Sequence, residues 1–373
     1  MKAYFAGYNV ITSLGVTVNE NVENILQSKT GVKLHNGYGN VIEQTQLSAV
    51  NKDVIFADFD NDNFTSFEKF IIFSIRKALS DSKIKISEKT ALILSTTKGN
   101  IELLDTEKAS KYEADRVQLW KSAEIVAKYF GIKNEPLVVS NACISGVQAI
   151  TAGMRMIQNE KSDNVIVVGG DILSDFVISG FLSFKSISPN PCKPFDKDRD
   201  GLSLGEGAAT VLLTSFPCQA LEPKIEFIAG ATANDANHIS GPSRTGEGLY
   251  QAIDTVLEAN TNIDFISAHG TATMYNDDME SIAITRCGLQ NVPVNSFKGY
   301  FGHTLGAAGL IETALTIYSM QNNIVFKTLG FTTEGTAESI NIISEHKDQT
   351  VNSALKIGSG FGGSNAALLM VKE

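Results

Sequence analysis

Residues able to do chemistry fall at a few points of this 373-residue chain. The first is Cys143, in Ala142-Cys143-Ile144-Ser145-Gly146. It stands between a short apolar run, Leu137–Ser140, and a long apolar segment, Ile144–Gln158. A thiol placed where a strand turns into a helix feels the positive end of the helix dipole, which lowers its pKa and favours the nucleophilic thiolate. A lone cysteine is more commonly an inert buried hydrophobe, so position alone does not decide the matter. Gly146 allows the chain or a ligand to come close.

The chain has only five histidines, and two lie in similar settings. His269, in His269-Gly270-Thr271-Ala272-Thr273, follows the apolar run Phe265–Ala268. By itself it reads best as a histidine satisfied by backbone at a strand end. Lys298 and His303 share a glycine-rich loop, Lys298 to Gly309, between the run Val292–Asn295 and the apolar segment Leu305–Met320. A histidine at a helix N-terminus is expected to be neutral, and a neutral imidazole donates one hydrogen bond to a developing oxyanion. Last comes Gly358-Ser359-Gly360-Phe361-Gly362-Gly363-Ser364-Asn365. Such a turn presents backbone N–H groups to an anion. Phe361, between Gly360 and Gly362, is its only bulky side chain and a candidate gate.

Something must bring these points together. The expected strands are Ala91–Ser95, Leu137–Ser140 and Val165–Val168, the last ended by Gly169 and Gly170. In the second half they are Phe265–Ala268, Val292–Asn295, Leu355–Gly358 and Ala366–Val371. The segments Ile144–Gln158 and Leu305–Met320 are apolar nearly all round, as buried helices are. Each half thus runs strand, functional loop, strand, buried helix, strand, with a seam at Thr214–Lys224, where Pro217 and Pro223 lie. Two βαβ-type halves, 1–216 and 217–373, form one compact α/β unit whose strand ends meet in one crevice. Thr65 and Glu68 form a capping box ahead of a helix with the apolar stripe Phe67, Phe70, Ile71, Ile75 and Ala78.

Net charge is −10, against the basic character expected of a nucleic-acid binder. Cys143, Cys192, Cys218 and Cys287 show neither metal-ligand spacing nor a disulfide framework. Residues 1–15 read as a first strand rather than a signal peptide, and no run reaches the length of a membrane span. The expected location is the cytoplasm.

At these residues the chain resembles the elongating β-ketoacyl-acyl-carrier-protein synthases of the thiolase superfamily. The resemblance runs over nearly the whole chain. It rests on Ala142 to Gly146; on Lys193-Pro194-Phe195-Asp196-Lys197-Asp198-Arg199-Asp200-Gly201 with Gly205-Glu206-Gly207; on His269 to Thr273 with Asn276-Asp277; on Lys298 to Gly309 with Glu312; and on Gly360 to Asn365. Departures are a shortened stretch between Gly99 and Cys143, Met274 in place of proline, and Gly299-Tyr300-Phe301 in place of smaller residues.

The resemblance implies a thiolase-like fold, a five-layered α-β-α-β-α arrangement of duplicated halves. It implies Cys143 as nucleophile, His269 and His303 as enolate-oxygen donors, and Lys298 orienting the histidine loop. The backbone N–H groups of Cys143 and Phe361 would form an oxyanion hole, with Thr271, Thr273, Asp277 and Glu312 in support. No metal or organic cofactor is implied. The implied partners are acyl and malonyl forms of acyl carrier protein, and a second subunit in a homodimer or heterodimer. The pathway, whether fatty acid, polyene or polyketide, stays open. Two competing readings are a thiolase-like acyltransferase without decarboxylation and a non-catalytic partner subunit that shapes a pocket.

Overall fold

The computed structural model describes residues 1–60, 63–259 and 262–373, with Thr106 described by its backbone alone. Ten strands form one mixed sheet: β1 Ala3–Ile11, β2 Thr90–Ser95, β3 Leu137–Val139, β4 Asn164–Asp171, β5 Gly207–Thr214, β6 Ile225–Asn234, β7 Phe265–Ser267, β8 Val294–Asn295, β9 Ser353–Gly360 and β10 Ser364–Lys372. Their spatial order is β8-β7-β9-β10-β6-β1-β5-β4-β2-β3. From the two edges inward, the halves read 3-2-4-5-1 and 8-7-9-10-6. The second is the first with five added to each number, which is the duplication expected from the motif order. Within each half the short strands pair in parallel, β2 with β3 and β4, β7 with β8 and β9. The halves join through β1 and β6, antiparallel at Ala3 with Phe227 and Tyr4 with Glu226.

The helices used below are α1 Ser66–Ser80, α2 Leu119–Tyr129, α3 Ser145–Gln158, α4 Asp175–Ser183, α5 Glu247–Leu257, α6 Met274–Arg286, α7 Lys298–Phe301 and α8 Ala308–Asn322. Helices α3 and α8 pack on one another between the two halves of the sheet. Helix α1 covers the outer face of the first half against β1, β4 and β5, and α5 covers the second against β6 and β10. The result is the five-layered arrangement. Gly146 is what lets the central helices meet. A Cβ there would lie 2.4 Å from the Leu310 backbone nitrogen, so the close approach it permits is to another helix. The capping box Thr65–Glu68 forms as expected, and the stripe Phe67, Phe70, Ile71, Ile75 and Ala78 is buried.

Several boundaries differ from the periodicity. Strand β4 runs on through Gly169 and Gly170 to Asp171, because the neighbouring β5 continues to pair with both glycines. Strand β9 continues to Gly360, so the glycine turn shortens to residues 361–363. Cys143 lies two residues before the first residue of helix α3, with Ile144 between them, rather than opening it. Lys298 lies on the short helix α7 instead of a loop. The segment expected as a helix from Leu305 starts with a 3-10 turn, Leu305–Ala307, before α8 begins. Among the described residues no helix is long and apolar enough to cross a membrane.

Candidate active site

Each candidate side chain sits where a strand of one half ends facing the central helices. Behind β3, Ala142 adopts φ 44°, a left-handed conformation that costs energy for a residue with a Cβ. That sharp turn aims Cys143, half-buried, into a cavity of ≈ 530 Å³. Gly360 lets the two segments come close here, since a Cβ would meet the Cys143 backbone nitrogen at 3.0 Å and Ala142 Cβ at 3.1 Å, tighter than ordinary contact. The tip of the second half's closing hairpin therefore lies against the nucleophile turn of the first. The Phe361 N–H lies near enough to the Cys143 sulfur to favour its ionised form.

The sulfur and one ring nitrogen each of His269 and His303 lie within 4.8 Å of one another. The imidazoles stand edge to face, centroids 5.1 Å apart. Their tautomers follow from their neighbours. The Leu305 backbone N–H donates to Nδ1 of His303 at 3.0 Å. The Lys298 ammonium donates to Nδ1 of His269 at 3.1 Å. Each Nδ1 is therefore an acceptor, and in the neutral ring the proton sits on Nε2. A metal bound at both Nε2 atoms would force the proton onto Nδ1, against an N–H and an ammonium. The trio is thus built to donate hydrogen bonds, and its donor set does not fit a metal.

Burial holds both histidines well below the usual imidazole range, and the ammonium groups of Lys298 and Lys356 add to it. The neutral state expected for His303 is present, but burial is its main cause, with the two lysines behind it. Cys143 corrects the expectation more sharply. Burial pushes its thiol up to about 11, and Lys298 and the Phe361 N–H oppose this only partly. A helix end carries about half a unit charge, too little to offset loss of water around a thiolate. The resting group is the thiol.

Lys298 spends all three donors, on His269 Nδ1, on the His269 carbonyl at 2.6 Å and on Glu312 Oε1 at 2.6 Å. Asp277 accepts from the N–H groups of Phe195, Thr271 and Ala272, tying the long signature segment to the first histidine loop. Burial raises its carboxyl to about 6. Thr271 and Thr273 exchange a hydroxyl hydrogen bond of 2.8 Å and line the cavity. Arg199 braces the same region through the Met274 and Gly335 carbonyls and Asp278. Phe361 is 37% exposed at the cavity mouth, stacked on Phe181 at 5.9 Å and edge-on to Phe184 at 5.6 Å. Gly362 and Gly363 follow it with φ of 83° and 72°, the left-handed region open to glycine.

Three residues of the site carry no motif signal. Glu280 accepts the backbone N–H groups of His269 and Gly270 at 2.7 and 2.6 Å. Asp171, at the end of β4, gathers the N–H groups of Thr97, Lys98 and Gly306 and so anchors the loop after His303. Lys356, on β9, lies fully buried beside Glu312. The helical spacing Asn276–Glu280 on one face of α6 was the only cue to Glu280, and the other two had none.

Known proteins agree with this architecture. The model of the β-ketoacyl synthase N-terminal domain matches residues 6–216, and that of the C-terminal domain matches residues 226–332. The chain is 27% identical over 425 aligned positions to a putative mitochondrial 3-oxoacyl-[acyl-carrier-protein] synthase of Schizosaccharomyces pombe, covering 100% of this chain and 99% of that protein. It is 26% identical over 405 positions to the 3-oxoacyl-[acyl-carrier-protein] synthase 2 of Coxiella burnetii, covering 99% and 98%. The ishigamide ketosynthase/chain length factor structure superposes with a TM-score of 0.89 at 23% identity, covering 100% of this chain and 99% of that one. With both domain models matched in order along a thiolase-like fold, the chain belongs to the β-ketoacyl synthase family of acyltransferase enzymes.

Proposed function

We propose that the chain is a β-ketoacyl-[acyl-carrier-protein] synthase working in two half-reactions on Cys143. The observation that carries this is the pair of Nε2–H groups, fixed by the Leu305 N–H and by Lys298, beside one thiol. In the first half-reaction the Cys143 thiol loses its proton to solvent. The thiolate attacks an acyl thioester, the carrier thiol leaves, and acyl-Cys143 remains. The N–H groups of Cys143 and Phe361 hold the tetrahedral oxyanion.

In the second, a malonyl thioester loses CO₂ and its carbonyl oxygen becomes an enolate oxygen. His269 and His303 donate to that oxygen from Nε2. The enolate carbon attacks acyl-Cys143 and the Cys143 sulfur leaves as thiolate. Lys298 and Glu312 orient His269, while Thr271, Thr273 and Asp277 shape and hold its loop. Phe361, stacked on α4, gates the entrance. No step calls for a redox or metal centre.

The two substrates are the acyl and malonyl thioesters of an acyl carrier protein, the carrier in the names of the S. pombe and C. burnetii relatives. The first unit is 1–216 and the second 217–373, with β1 and β6 as the join. Among the described residues strand β3 is a free sheet edge with Leu137 43% exposed, a surface that a related subunit covers. The ishigamide structure pairs a ketosynthase with a chain length factor. The cytoplasm is its proposed compartment.

The test is intact-mass detection of an acyl group on Cys143 after incubation with a panel of acyl-carrier thioesters, alongside CO₂ trapped from malonyl-carrier thioester. Acylation together with CO₂ release establishes the reading. Acylation and condensation without CO₂ would make the protein a non-decarboxylating acyltransferase, and neither event would leave it a partner subunit.

A further inference from the structure

We propose that Lys356 is a positioning residue for the decarboxylation half-reaction, acting through Glu312 and the His269 strand end to keep both histidines as Nε2–H donors. The inference rests on the reading of the site given above. Lys356 is on β9, fully buried, and is not among the residues that line the cavity. Its ammonium lies 2.6 Å from Glu312 Oε2, while Lys298 holds Oε1 of the same carboxylate at 2.6 Å. It also donates to the carbonyls of Ser267 and Ala268, at 3.2 and 3.0 Å. Those carbonyls belong to the backbone that delivers His269.

One carboxylate between two ammonium groups leaves a surplus positive charge behind the histidines. A buried cation without a full partner is expensive and needs a reason. Lys298 holds only Oε1 of Glu312, so Lys356 also compensates the buried Oε2, and the variants below separate that share from an electrostatic one. The electrostatic consequence is specific. A positive charge there disfavours imidazolium on His269 and His303, so Nδ1 keeps accepting and Nε2 keeps its proton. The same charge favours the enolate oxygen as it forms.

Other groups face the histidines from every side. They are Lys298 from α7, Glu312 from α8, Glu280 and Asp277 from α6, and Cys143 from the turn before α3. Glu280 is held up at about 7 by burial and by Asp277, so it adds little negative charge to cancel the lysines in acid. Asp171, at the end of β4, sits against the loop after His303. Removing Lys356 takes away one of the two cations. The histidines then protonate at higher pH, and the acid limb of decarboxylation moves up.

The experiment compares the full-length wild type with Lys356→Met, Lys356→Gln and Lys356→Arg. Gln keeps a donor for the strand carbonyls without the charge. Three readouts are taken: acylation of Cys143 by intact mass, CO₂ release from malonyl-carrier thioester against pH, and imidazole NMR titration of His269 and His303. For Met and Gln, acylation stays within about threefold while CO₂ release falls about tenfold or more. Their histidine titrations and acid limb shift upward by about one pH unit, the size of effect a nearby charge has. Arg restores the wild-type titration and most of the CO₂ release. Unshifted titrations with undiminished CO₂ release would overturn the proposal. So would equal loss of both half-reactions, or failure of both neutral variants to fold, since Lys356 would then be structural. A wild type that releases no CO₂ counts against the function proposed above, and the NMR titration still decides the role of Lys356.

Discussion

Lys298 Nζ lies 3.1 Å from Nδ1 of His269, donating to it, so the ring keeps its proton on the opposite nitrogen. This lysine is thereby a tautomer lock and not a base, with its remaining donors spent on the His269 carbonyl and Glu312. His303 is locked the same way by the Leu305 N–H. Neither ring has a free nitrogen toward the sulfur with which to take its proton.

The half-reactions separate by mutation for that reason. In His303→Ala, acyl-Cys143 still forms, while CO₂ release falls by about 10²–10³, the usual cost of one oxyanion donor. Intact mass and trapped CO₂ on the same sample measure this. Equal loss of both would make His303 the base that activates Cys143.

Alkylation of Cys143 tracks the thiolate. With the thiol held up at about 11, the rate with iodoacetamide rises about tenfold per pH unit from neutrality and levels only near that value. A plateau below pH 8 would mean that the helix end outweighs burial.

Phe361→Ala opens the mouth and removes the stacking on Phe181 and the edge contact with Phe184. Acylation by acyl-carrier thioester slows, and alkylation by a small reagent is unchanged or faster. If both fall together, Phe361 holds the site's shape instead of gating it.

Gly146→Ala drives a methyl into the Leu310 backbone, 2.4 Å away. Overpacking of this kind costs about 1–3 kcal/mol, read as a lower thermal midpoint with the same unfolding signal. An unchanged midpoint would show that α3 and α8 separate freely.

The free edge at β3 predicts a dimer. Leu137→Asp puts a charge on that edge and shifts the mass in sedimentation from dimer toward monomer. A monomeric, fully active wild type would remove the claim.

Much of this protein is written in local order along the chain. Apolar runs ending one to three residues before Cys143, His269, Lys298 and Gly360 mark the strand ends, because a strand's length and a glycine's backbone freedom are local properties. The capping box at Thr65 is equally local. Tertiary structure decided what depends on distance between remote residues. Lys356 sits in a strand that reads as plain core and Asp171 lies just past the glycines expected to end one, and only folding places them beside Glu312 and Gly306. The state of Cys143 belongs to the same class. Its helix neighbour is visible in sequence and argues for a thiolate, whereas the burial that keeps it a thiol comes from packing by both halves. A dipole acts along one segment, but desolvation sums over every atom brought near, and that sum exists only in the folded chain.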